Sequence, residues 1–342
     1  MEKICVNLPY GAYQVTVGND LLNNAGQTFN LNRKVLIVTD NGVPEQYATT
    51  IAKQCKQSLI VTVEQGEGSK SFNVLQLLLE RMCQFGMDRG DCVVAVGGGV
   101  VGDLAGFTAS CYMRGVDFYN VPTTLLSQVD SSIGGKTAIN FCGIKNVVGA
   151  FYQPKGVLID VDLLRTLPER QIACGLAEAV KMSLTSDASL FEFFENNSLV
   201  KILSQLDYVI VGCLNIKKHV VENDEKEKGL RKVLNFGHTI GHAIEAEQLT
   251  NGLYHGECVA IGMSAITHGE TKEKLVNVLQ KIGLPTRCEI DGCKMKEFLL
   301  HDKKINDGNI DVVLVDNVGE FRFEKVSVDK VTDMAVKSFG EN

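Results

Sequence analysis

The sequence predicts an α/β fold, because two different hydrophobic periods follow each other along the chain. Up to about residue 165, short runs rich in β-branched residues alternate with helical stretches, a pattern typical of parallel strands joined by crossover helices. Beyond that point, apolar residues recur at three- and four-residue steps, which indicates helices. We therefore expect an N-terminal parallel-sheet domain over residues 1–160 and a mainly α-helical C-terminal domain over residues 161–342.

Five runs account for the predicted parallel strands. They are KVLIVTD at 34–40, SLIVTV at 58–63, DCVVAVGGG at 91–99, DFYNVPT at 117–123 and GVLID at 156–160. The pattern breaks at AFYQPKG, where proline and glycine interrupt it. The domain boundary is therefore expected between residues 150 and 165.

Four segments with a helical period follow in the second half. They cover GLAEAVKMSL at 175–184, ILSQLDYVIVGCLNIKKHVV at 202–221, FGHTIGHAIEAE at 236–247 and GECVAIGMSAITHG at 256–269. Near the C-terminus, NIDVVLVDNVGEFRFEKV predicts a short hairpin with its turn near Asn317 and Gly319. The second domain is thus expected to be helical apart from this hairpin.

Composition limits the classes of function. The chain has 342 residues, of which 45% are hydrophobic, and a net charge of −7, so each domain has enough apolar material for a core. No dense Lys/Arg block is present, so neither nucleic acid nor an anionic membrane is an expected partner.

The N-terminus lacks a basic segment leading into an apolar one, and a cytoplasmic protein is expected. The 11 cysteines form no CxxC pair, which argues against a disulfide framework and a thiolate zinc site.

A glycine-rich turn follows the third of the predicted strands. Gly97, Gly99 and Gly102 spell GxGxxG, which lets a pyrophosphate approach bare amides at a helix N-terminus; a tight turn with close helix packing is the alternative. Asp40 ends the first of these strands, and GEGSK at 66–70 follows the second. Carboxylates at this edge accept ribose hydroxyls and repel a 2′-phosphate, so we interpret the domain as Rossmann-like and specific for NAD over NADP.

Charged side chains crowd the stretch VPTTLLSQVDSSIGGKTAINFCGIKN. We expect a cleft loop here, in which Asp130, Lys136, Lys145 and Asn146 bind an anion; a solvated loop is the alternative. Together with Arg114, the lysines favour a phosphorylated, carboxylated substrate over a neutral one.

Two histidines four residues apart, His238 and His242, share a helix face and so permit joint metal binding. The zinc-protease signature would need a glutamate directly after the first of them. Thr239 stands there, so that motif is excluded. Two histidines packed on a close helix contact are the alternative.

Further candidate metal ligands lie in, or directly before, other predicted helices. Glu178 and Lys181 are three residues apart on an apolar face, where a surface ion pair is the alternative. His255 lies in a YHGE turn before another apolar helix, where a capping histidine is the alternative. Together Glu178, His238 and His255 match the two-histidine, one-carboxylate donor set of a catalytic zinc site. Such a site lowers the pKa of an alcohol, as hydride loss to NAD requires.

In order from about residue 34 to residue 320, the chain resembles the 3-dehydroquinate synthase family. The resemblance is carried by GGGVVGDLAGFTASCYMRG, VPTTLLSQVDSSIGGKTAIN, KNVVGAFYQP, GLAEAVK, DEKEKGLRKVLNFGHTIGHAIE, YHGECVAIGM and DKK. It implies a homodimeric enzyme of the shikimate pathway that uses NAD and Zn²⁺, with Co²⁺ as a substitute metal. The implied reaction converts 3-deoxy-D-arabino-heptulosonate 7-phosphate to 3-dehydroquinate and phosphate.

The resemblance also implies roles for individual residues. The zinc ligands would be Glu178, His238 and His255, while His242 would face the substrate and assist proton movement or phosphate binding. Arg114 would reach the neighbouring subunit's site, and Glu227 would orient the basic cluster. The substrate contacts would be Asp130, Lys136, Asn146, Lys181, Lys217, Arg231, Asn235, His242 and either Lys303 or Lys304. The NAD contacts would be Asp40, Glu67, Lys70, Gly99, Val100, Val101, Gly102, Asp103, Thr123, Thr124, Lys136, Lys145, Thr166 and Leu167.

Three other functions compete with this one. A sister sugar-phosphate cyclase, acting on sedoheptulose 7-phosphate or glucose 6-phosphate, would be expected to alter parts of the set Asn146, Arg231, Asn235 and His242. A metal-dependent alcohol dehydrogenase of similar architecture would release NADH, and the many phosphate-directed lysines count against it. A catalytically silent NAD- or metal-binding protein would be expected to have lost at least one of the metal, base or phosphate positions.

Overall fold

A computed structural model describes residues 1–247, 252–289, 291–300 and 309–339. The chain forms two compact units. Unit 1 comprises Met1–Pro168 together with Lys217–Lys226, and unit 2 comprises Glu169–Ile216 and the described residues from Glu227 onward. A segment from the middle of the chain thus belongs to unit 1, which differs from the single boundary expected from sequence.

A seven-stranded sheet forms the centre of unit 1. Its strands are β1 (Glu2–Leu8), β2 (Gly11–Gly18), β3 (Lys34–Asp40), β4 (Gln57–Val63), β5 (Cys92–Gly97), β6 (Asp117–Pro122) and β9 (Gly156–Asp160). The order is β1-β2-β9-β6-β5-β3-β4, and all neighbours are parallel except β1 and β2. The predicted parallel α/β class is confirmed, with an antiparallel first strand that the sequence pattern did not reveal.

Alternate side chains of β3 pack into two hydrophobic cores, one on each face of the sheet. Three helices cover the faces of unit 1: α1 (Glu45–Ala52), α2 (Phe72–Gln84) and α3 (Gly99–Cys111). Val35 and Ile37 pack with α1, whereas Leu36 and Val38 pack with α2 and α3. Burial on both faces explains why the strands read as continuous apolar runs.

The prediction of a loop after β6 is wrong, because most of the stretch at 121–146 has regular structure. It forms a π-helical turn at Ser127–Ser131 and an antiparallel hairpin of β7 (Lys136–Phe141) and β8 (Ile144–Phe151). Thr137 and Ile139 are buried while their neighbours are more exposed, which is the alternation of a half-buried strand. The glycines that suggested a loop lie before the hairpin and in its turn, not within β7.

Unit 2 is mainly helical, as predicted. Its helices are α4 (Glu169–Ser186), α5 (Ala188–Asn196), α6 (Leu199–Leu203), the first part of α7 (Leu206–Asn223), α8 (His238–Glu247), α9 (His255–Ile266), α10 (Gly269–Lys281), α11 (Gly292–Leu300) and α12 (Val328–Phe339). The predicted hairpin is confirmed as β10 (Asn309–Leu314) paired with β11 (Arg322–Ser327). Among the described residues, every helix is too short or too polar to cross a lipid bilayer.

Glycines let three helices of unit 2 approach to backbone contact. A Cβ added to Gly262 of α9 would lie 2.1 Å from the carbonyl oxygen of Gly237, the residue that precedes α8. One added to Gly256 would lie 2.4 Å from the carbonyl oxygen of Cys174 in α4. Any larger residue would therefore push α9 away from α4 and α8. This close packing brings the N-terminal ends of α8 and α9 next to the middle of α4.

Gly262→Ala is expected to destabilise unit 2, because the added methyl would meet backbone that cannot rotate away. Overpacking of this kind typically costs about 1–3 kcal/mol, so the urea midpoint of unfolding should fall. Gly26→Ala is the control, because its Cβ would meet Gln54 no closer than 3.6 Å. Equal midpoints for the two variants would contradict the close packing described above.

Candidate active site

Glu178 of α4 is the centre of a buried cluster in unit 2. Its side chain is 1% exposed, and its Oε2 pairs with Nζ of Lys181, one helical turn later. Its Oε1 lies 3.5 Å from Nε2 of His238 and 3.5 Å from Nε2 of His255. Within the described residues this oxygen accepts no hydrogen bond. A buried, ionised oxygen that faces two imidazole nitrogens has the donor chemistry of a divalent metal site.

Both of these imidazoles are oriented through their second ring nitrogen. Nδ1 of His238 lies 3.1 Å from the carbonyl oxygen of Phe236, and Nδ1 of His255 lies 3.1 Å from Oε2 of Glu245. When Nδ1 carries the proton for these contacts, Nε2 of each ring keeps a lone pair directed at Glu178. Histidine ligands of metals are usually held in this way.

His242 is a third imidazole beside the pair. It is exposed, and its ring centroid lies 5.2 Å from that of His238 and 5.7 Å from that of His255. One nitrogen from each of the three rings lies within 4.8 Å of the others. The geometry thus admits two ligand sets, either Glu178 with two imidazoles or all three imidazoles. The expected substrate-facing role of His242 stays a prediction.

The cluster has an uneven distribution of charge. Burial would raise the pKa of Glu178, but Lys181 and the neighbouring imidazoles outweigh burial and hold that pKa well below its usual value. Burial and the charge of Lys181 hold the pKa of His238 well below its usual value. Burial acts in the same direction on His255, but the carboxylates of Glu178 and Glu245 prevail and raise its pKa to about 9. A bound divalent cation would therefore replace the proton on His255.

The turn before α8 carries other predicted substrate residues. Arg231 lies in the 3-10 turn Leu230–Asn235 and is only 2% exposed. Nδ2 of Asn235 donates to Oε1 of Glu227 at 2.7 Å, and Glu227 has a left-handed backbone with φ of 57°. Glu227 thus orients one member of the predicted set. Lys303 and Lys304 lie outside the described residues.

The predicted NAD residues of unit 1 share one edge of the sheet. They follow the carboxyl ends of five parallel strands: Asp40 ends β3, Glu67 and Lys70 follow β4, Gly99 to Asp103 follow β5, Thr123 and Thr124 follow β6, and Thr166 and Leu167 follow β9 through a 3-10 turn. Nucleotides bind open parallel sheets at this edge. Asp40 is buried, which raises the pKa of its carboxyl, and it accepts a hydrogen bond from the amide of Gly42 at 2.8 Å. The side chain of Val101 packs in the core, so only its backbone is available to a ligand.

Lys70 joins predicted NAD residues to a predicted substrate residue. Its side chain is 2% exposed, and Nζ lies 2.6 Å from Oδ2 of Asp103 and also donates to Oδ1 of Asn146. The amide of Asn146 donates to Asn140, whose Nδ2 donates in turn to Oε2 of Glu67 at 2.9 Å. These hydrogen bonds connect the β7–β8 hairpin to the edge of the sheet where the parallel strands end.

A second lysine and carboxylate pair holds another predicted substrate contact. Nζ of Lys217, near the end of α7, contacts both the carboxylate and the carbonyl oxygen of Asp130. Lys217 is 4% exposed, so its ammonium is held by Asp130 in a nearly dry environment. A substrate anion that contacts Lys217 would compete with this carboxylate.

The remaining basic residues predicted in unit 1 are exposed and lie apart from each other. Lys136 begins β7, opposite Phe151, whereas Lys145 lies in β8 near the turn. The hairpin register therefore places the two lysines at opposite ends of the ladder. Arg114 is exposed in a 3-10 turn, and both Met113 and Arg114 have left-handed backbones with φ of 47° and 67°. Such strain in residues other than glycine is concentrated at functional segments.

Sequence reasoning missed Glu245 and the pair of Arg170 with Glu257. Glu245 lies seven residues after His238 and thus on the same helix face, which is a signal that the sequence contains. Nε of Arg170 lies 2.7 Å from Oε1 of Glu257, and Oε2 of Glu257 accepts from the amide of Tyr254 at 2.7 Å. This pair fixes the start of α9, where His255 lies.

A parallel α/β unit whose sheet edge suits a nucleotide, and a helical unit whose carboxylate and imidazole cluster suits a divalent metal, are together typical of a nucleotide- and metal-dependent enzyme. A family model described as 3-dehydroquinate synthase N-terminal matches residues 60–174, and one described as 3-dehydroquinate synthase C-terminal matches residues 175–305. The chain belongs to the 3-dehydroquinate synthase family.

One relative with the name of this family and two solved structures with other names are similar to this chain over nearly its whole length. The 3-dehydroquinate synthase of Pelobacter propionicus is 40% identical over 343 residues, which cover 94% of this chain and 95% of that protein. A solved 2-deoxy-scyllo-inosose synthase, complexed with carbaglucose-6-phosphate, NAD⁺ and Co²⁺, is 27% identical with a TM-score of 0.89 and covers 98% of this chain and 99% of its own. The 2-epi-5-epi-valiolone synthase of Streptomyces hygroscopicus, with NAD⁺ and Zn²⁺ bound, is 27% identical with a TM-score of 0.88 and covers 97% and 98%.

His238→Ala and His242→Ala are expected to separate the two ligand sets. His238→Ala removes an imidazole that faces Glu178 and should abolish stoichiometric Zn²⁺ binding, whereas His242→Ala should keep Zn²⁺ and lose turnover. Metal content after equilibrium dialysis against free Zn²⁺, with circular dichroism as a check on folding, measures both. Equal loss of Zn²⁺ from the two variants would favour the set of three imidazoles.

Proposed function

We infer that this protein converts 3-deoxy-D-arabino-heptulosonate 7-phosphate to 3-dehydroquinate and phosphate, in the shikimate pathway. Membership of the 3-dehydroquinate synthase family, with family models that together span residues 60–305, carries this inference. The cluster of Glu178, His238 and His255 supports it, because alcohol oxidation needs a group that polarises the hydroxyl, and a metal held there would supply it. The substrate is an anion, which suits the buried cations Lys181, Lys217 and Arg231.

We propose NAD as the cofactor at the sheet edge of unit 1 and Zn²⁺, or Co²⁺ as a substitute, as the metal of unit 2. When bound, NAD would accept the hydride of carbon 5 and later return it, and the metal would polarise the hydroxyl there. Asp40 would accept hydrogen bonds from the ribose, and the backbone amides of the first turn of α3 would bind the pyrophosphate. Glu178, His238 and His255 would hold the metal.

The chemistry of the substrate explains why the proposed site is rich in cations. A ketone at carbon 5 acidifies the proton on carbon 6, so that phosphate can leave carbon 7 by β-elimination. The substrate phosphate itself or His242 would accept that proton. Lys136, Lys217 and Arg231 would stabilise the charge that develops on the leaving phosphate. Reduction of the ketone, ring opening and aldol closure then complete the product, and no net redox change occurs.

We also propose a homodimer in which Arg114 contributes to the neighbouring subunit's site. The strained backbone at Met113 and Arg114 supports a specific role for this exposed turn. Phe72 and Phe141 pack edge to face with ring centroids 5.2 Å apart, and Ile144 pairs with Phe141 in the hairpin. These three side chains, here called the hairpin patch, are 44–50% exposed. Apolar groups of this kind mark association surfaces.

A cytoplasmic location is proposed as well, because all 11 cysteines are free thiols, which fits a reducing compartment.

The first assay is phosphate release from Zn²⁺-loaded protein given the heptulosonate phosphate and a catalytic amount of NAD. We expect phosphate and dehydroquinate in many-fold excess over NAD, without accumulation of NADH, because the hydride is returned in each turnover. Turnover of sedoheptulose 7-phosphate or glucose 6-phosphate alone would instead identify a sister cyclase. Accumulating NADH would identify a dehydrogenase.

Lys217→Met is expected to lower kcat/KM by about 10–100-fold, the range for loss of a charged hydrogen bond. Lys218→Met is the matched control, because Lys218 is adjacent in sequence and makes only a long contact of 3.9 Å with Glu222. Steady-state kinetics with the heptulosonate phosphate measures both variants. Equal kcat/KM values for the two would remove Lys217 from the proposed substrate site.

Mixed dimers test the role of Arg114. In a dimer of one Arg114→Ala subunit and one Lys217→Met subunit, purified through two different tags, one site would keep both residues if Arg114 acts across the interface. We expect about half of the wild-type activity from such a dimer, since only one of two symmetric sites is intact. Negligible activity would mean that Arg114 acts within its own subunit, and a monomeric wild type would overturn the dimer itself.

A further inference from the structure

Glu245 makes a contact with His255 that no role assigned so far explains. Its Oε2 lies 3.1 Å from Nδ1 of His255, on the side of the ring opposite to Glu178. The two residues lie on different helices, α8 and α9, ten positions apart in the sequence. Glu245 is partly buried, with its side chain 20% exposed.

The two imidazoles that face Glu178 have different partners. His238 contacts a backbone carbonyl only two residues away, at Phe236, and its orientation is therefore set locally. His255 contacts a carboxylate that comes from another helix, so its orientation depends on how α8 and α9 pack. A carboxylate partner also makes an imidazole a stronger donor to a metal than a carbonyl does.

We propose that Glu245 is a positioning residue for the metal centre: its carboxylate accepts a hydrogen bond from Nδ1–H of His255 and so directs Nε2 of that ring at the metal position beside Glu178. The proposal rests on the metal site proposed above. Glu245 does not touch the substrate in this role. It acts by fixing the tautomer and the ring plane of His255 and by raising the basicity of Nε2.

An ion pair that merely joins two helices is the competing explanation. It predicts that loss of Glu245 lowers stability and leaves the metal affinity of the folded protein unchanged. The positioning role predicts that loss of Glu245 weakens metal binding and has little effect on stability. The orientation of His255 is then no longer fixed, while the close glycine packing of α8 and α9 still holds the helices together. The metal affinity of folded protein therefore separates the two.

The experiment compares Glu245→Ala, Glu245→Gln and the control Glu324→Ala in Zn²⁺ affinity, measured by competition with a chromophoric chelator. Glu324 lies in β11 of the same unit, is 30% exposed and pairs with Arg322 and Lys330, so its loss also removes a partly buried acid. We expect Glu245→Ala to weaken Zn²⁺ binding about 10–100-fold, the range for partners of metal ligands. Glu245→Gln keeps an acceptor for Nδ1 and should recover part of that loss, while Glu324→Ala should match wild type.

Two further readouts keep the test decisive. Co²⁺-loaded Glu245→Ala should show an altered visible absorption band, because the ring of His255 is no longer fixed, and a structural ion pair would not change that band. If Glu245→Ala fails to fold, the nearly isosteric Glu245→Gln variant serves alone and should bind Zn²⁺ more weakly than wild type. Wild-type affinity and an unchanged Co²⁺ band in the folded variants would overturn the positioning role alone. Absence of Zn²⁺ binding by wild type would overturn the metal centre and this inference together.

Discussion

The buried negative charge of Glu178 is the constraint on which unit 2 depends. An ionised carboxylate that is 1% exposed is stable only if both oxygens are compensated. Lys181 compensates one oxygen from the same helix, one turn away. The other oxygen accepts no hydrogen bond from the described residues and faces Nε2 of imidazoles from α8 and α9. A proton on His255 or a bound cation would compensate this oxygen, and either requires both helices to approach α4 closely. The glycines at 237, 256 and 262 meet that need, because a side chain at any of them would strike backbone or a neighbouring side chain.

Unit 1 also contains buried charges that are paired, in this case two lysines with two carboxylates. Lys70 and Lys217 are nearly inaccessible to water, and each is paired with a carboxylate, Asp103 and Asp130 respectively. Burial of an ammonium without such a partner would be costly. The carboxylates thus hold the two lysine side chains in place. An anionic ligand that reached either lysine would compete with a protein carboxylate.

The elements that could be predicted from sequence are those whose signals are local. The strands β3, β5 and β9 are buried on both faces and read as nearly continuous apolar runs, and the helices α4 and α8 have apolar residues at three- and four-residue steps. The β7–β8 hairpin was missed because only β7 alternates clearly in burial and the glycines beside its strands resemble those of a loop. Lys136 and Lys145 are only nine positions apart in the sequence, yet the hairpin register separates them, and register depends on pairing that no local pattern reports.

The sequence by itself determined the parallel α/β first half, the helical second half, the family and the residue types of the site, because periodicity and long motif blocks are properties of a linear chain. Spacing alone left the histidine pair ambiguous, since His238 and His242 share a helix face whether or not both bind a metal. Only the tertiary structure decided which ring nitrogens face Glu178 and which partner holds each ring, because Phe236, Glu245 and Glu178 come from different elements. Orientation of an imidazole is set by contacts across the fold, and such contacts exist only after α4, α8 and α9 have packed together.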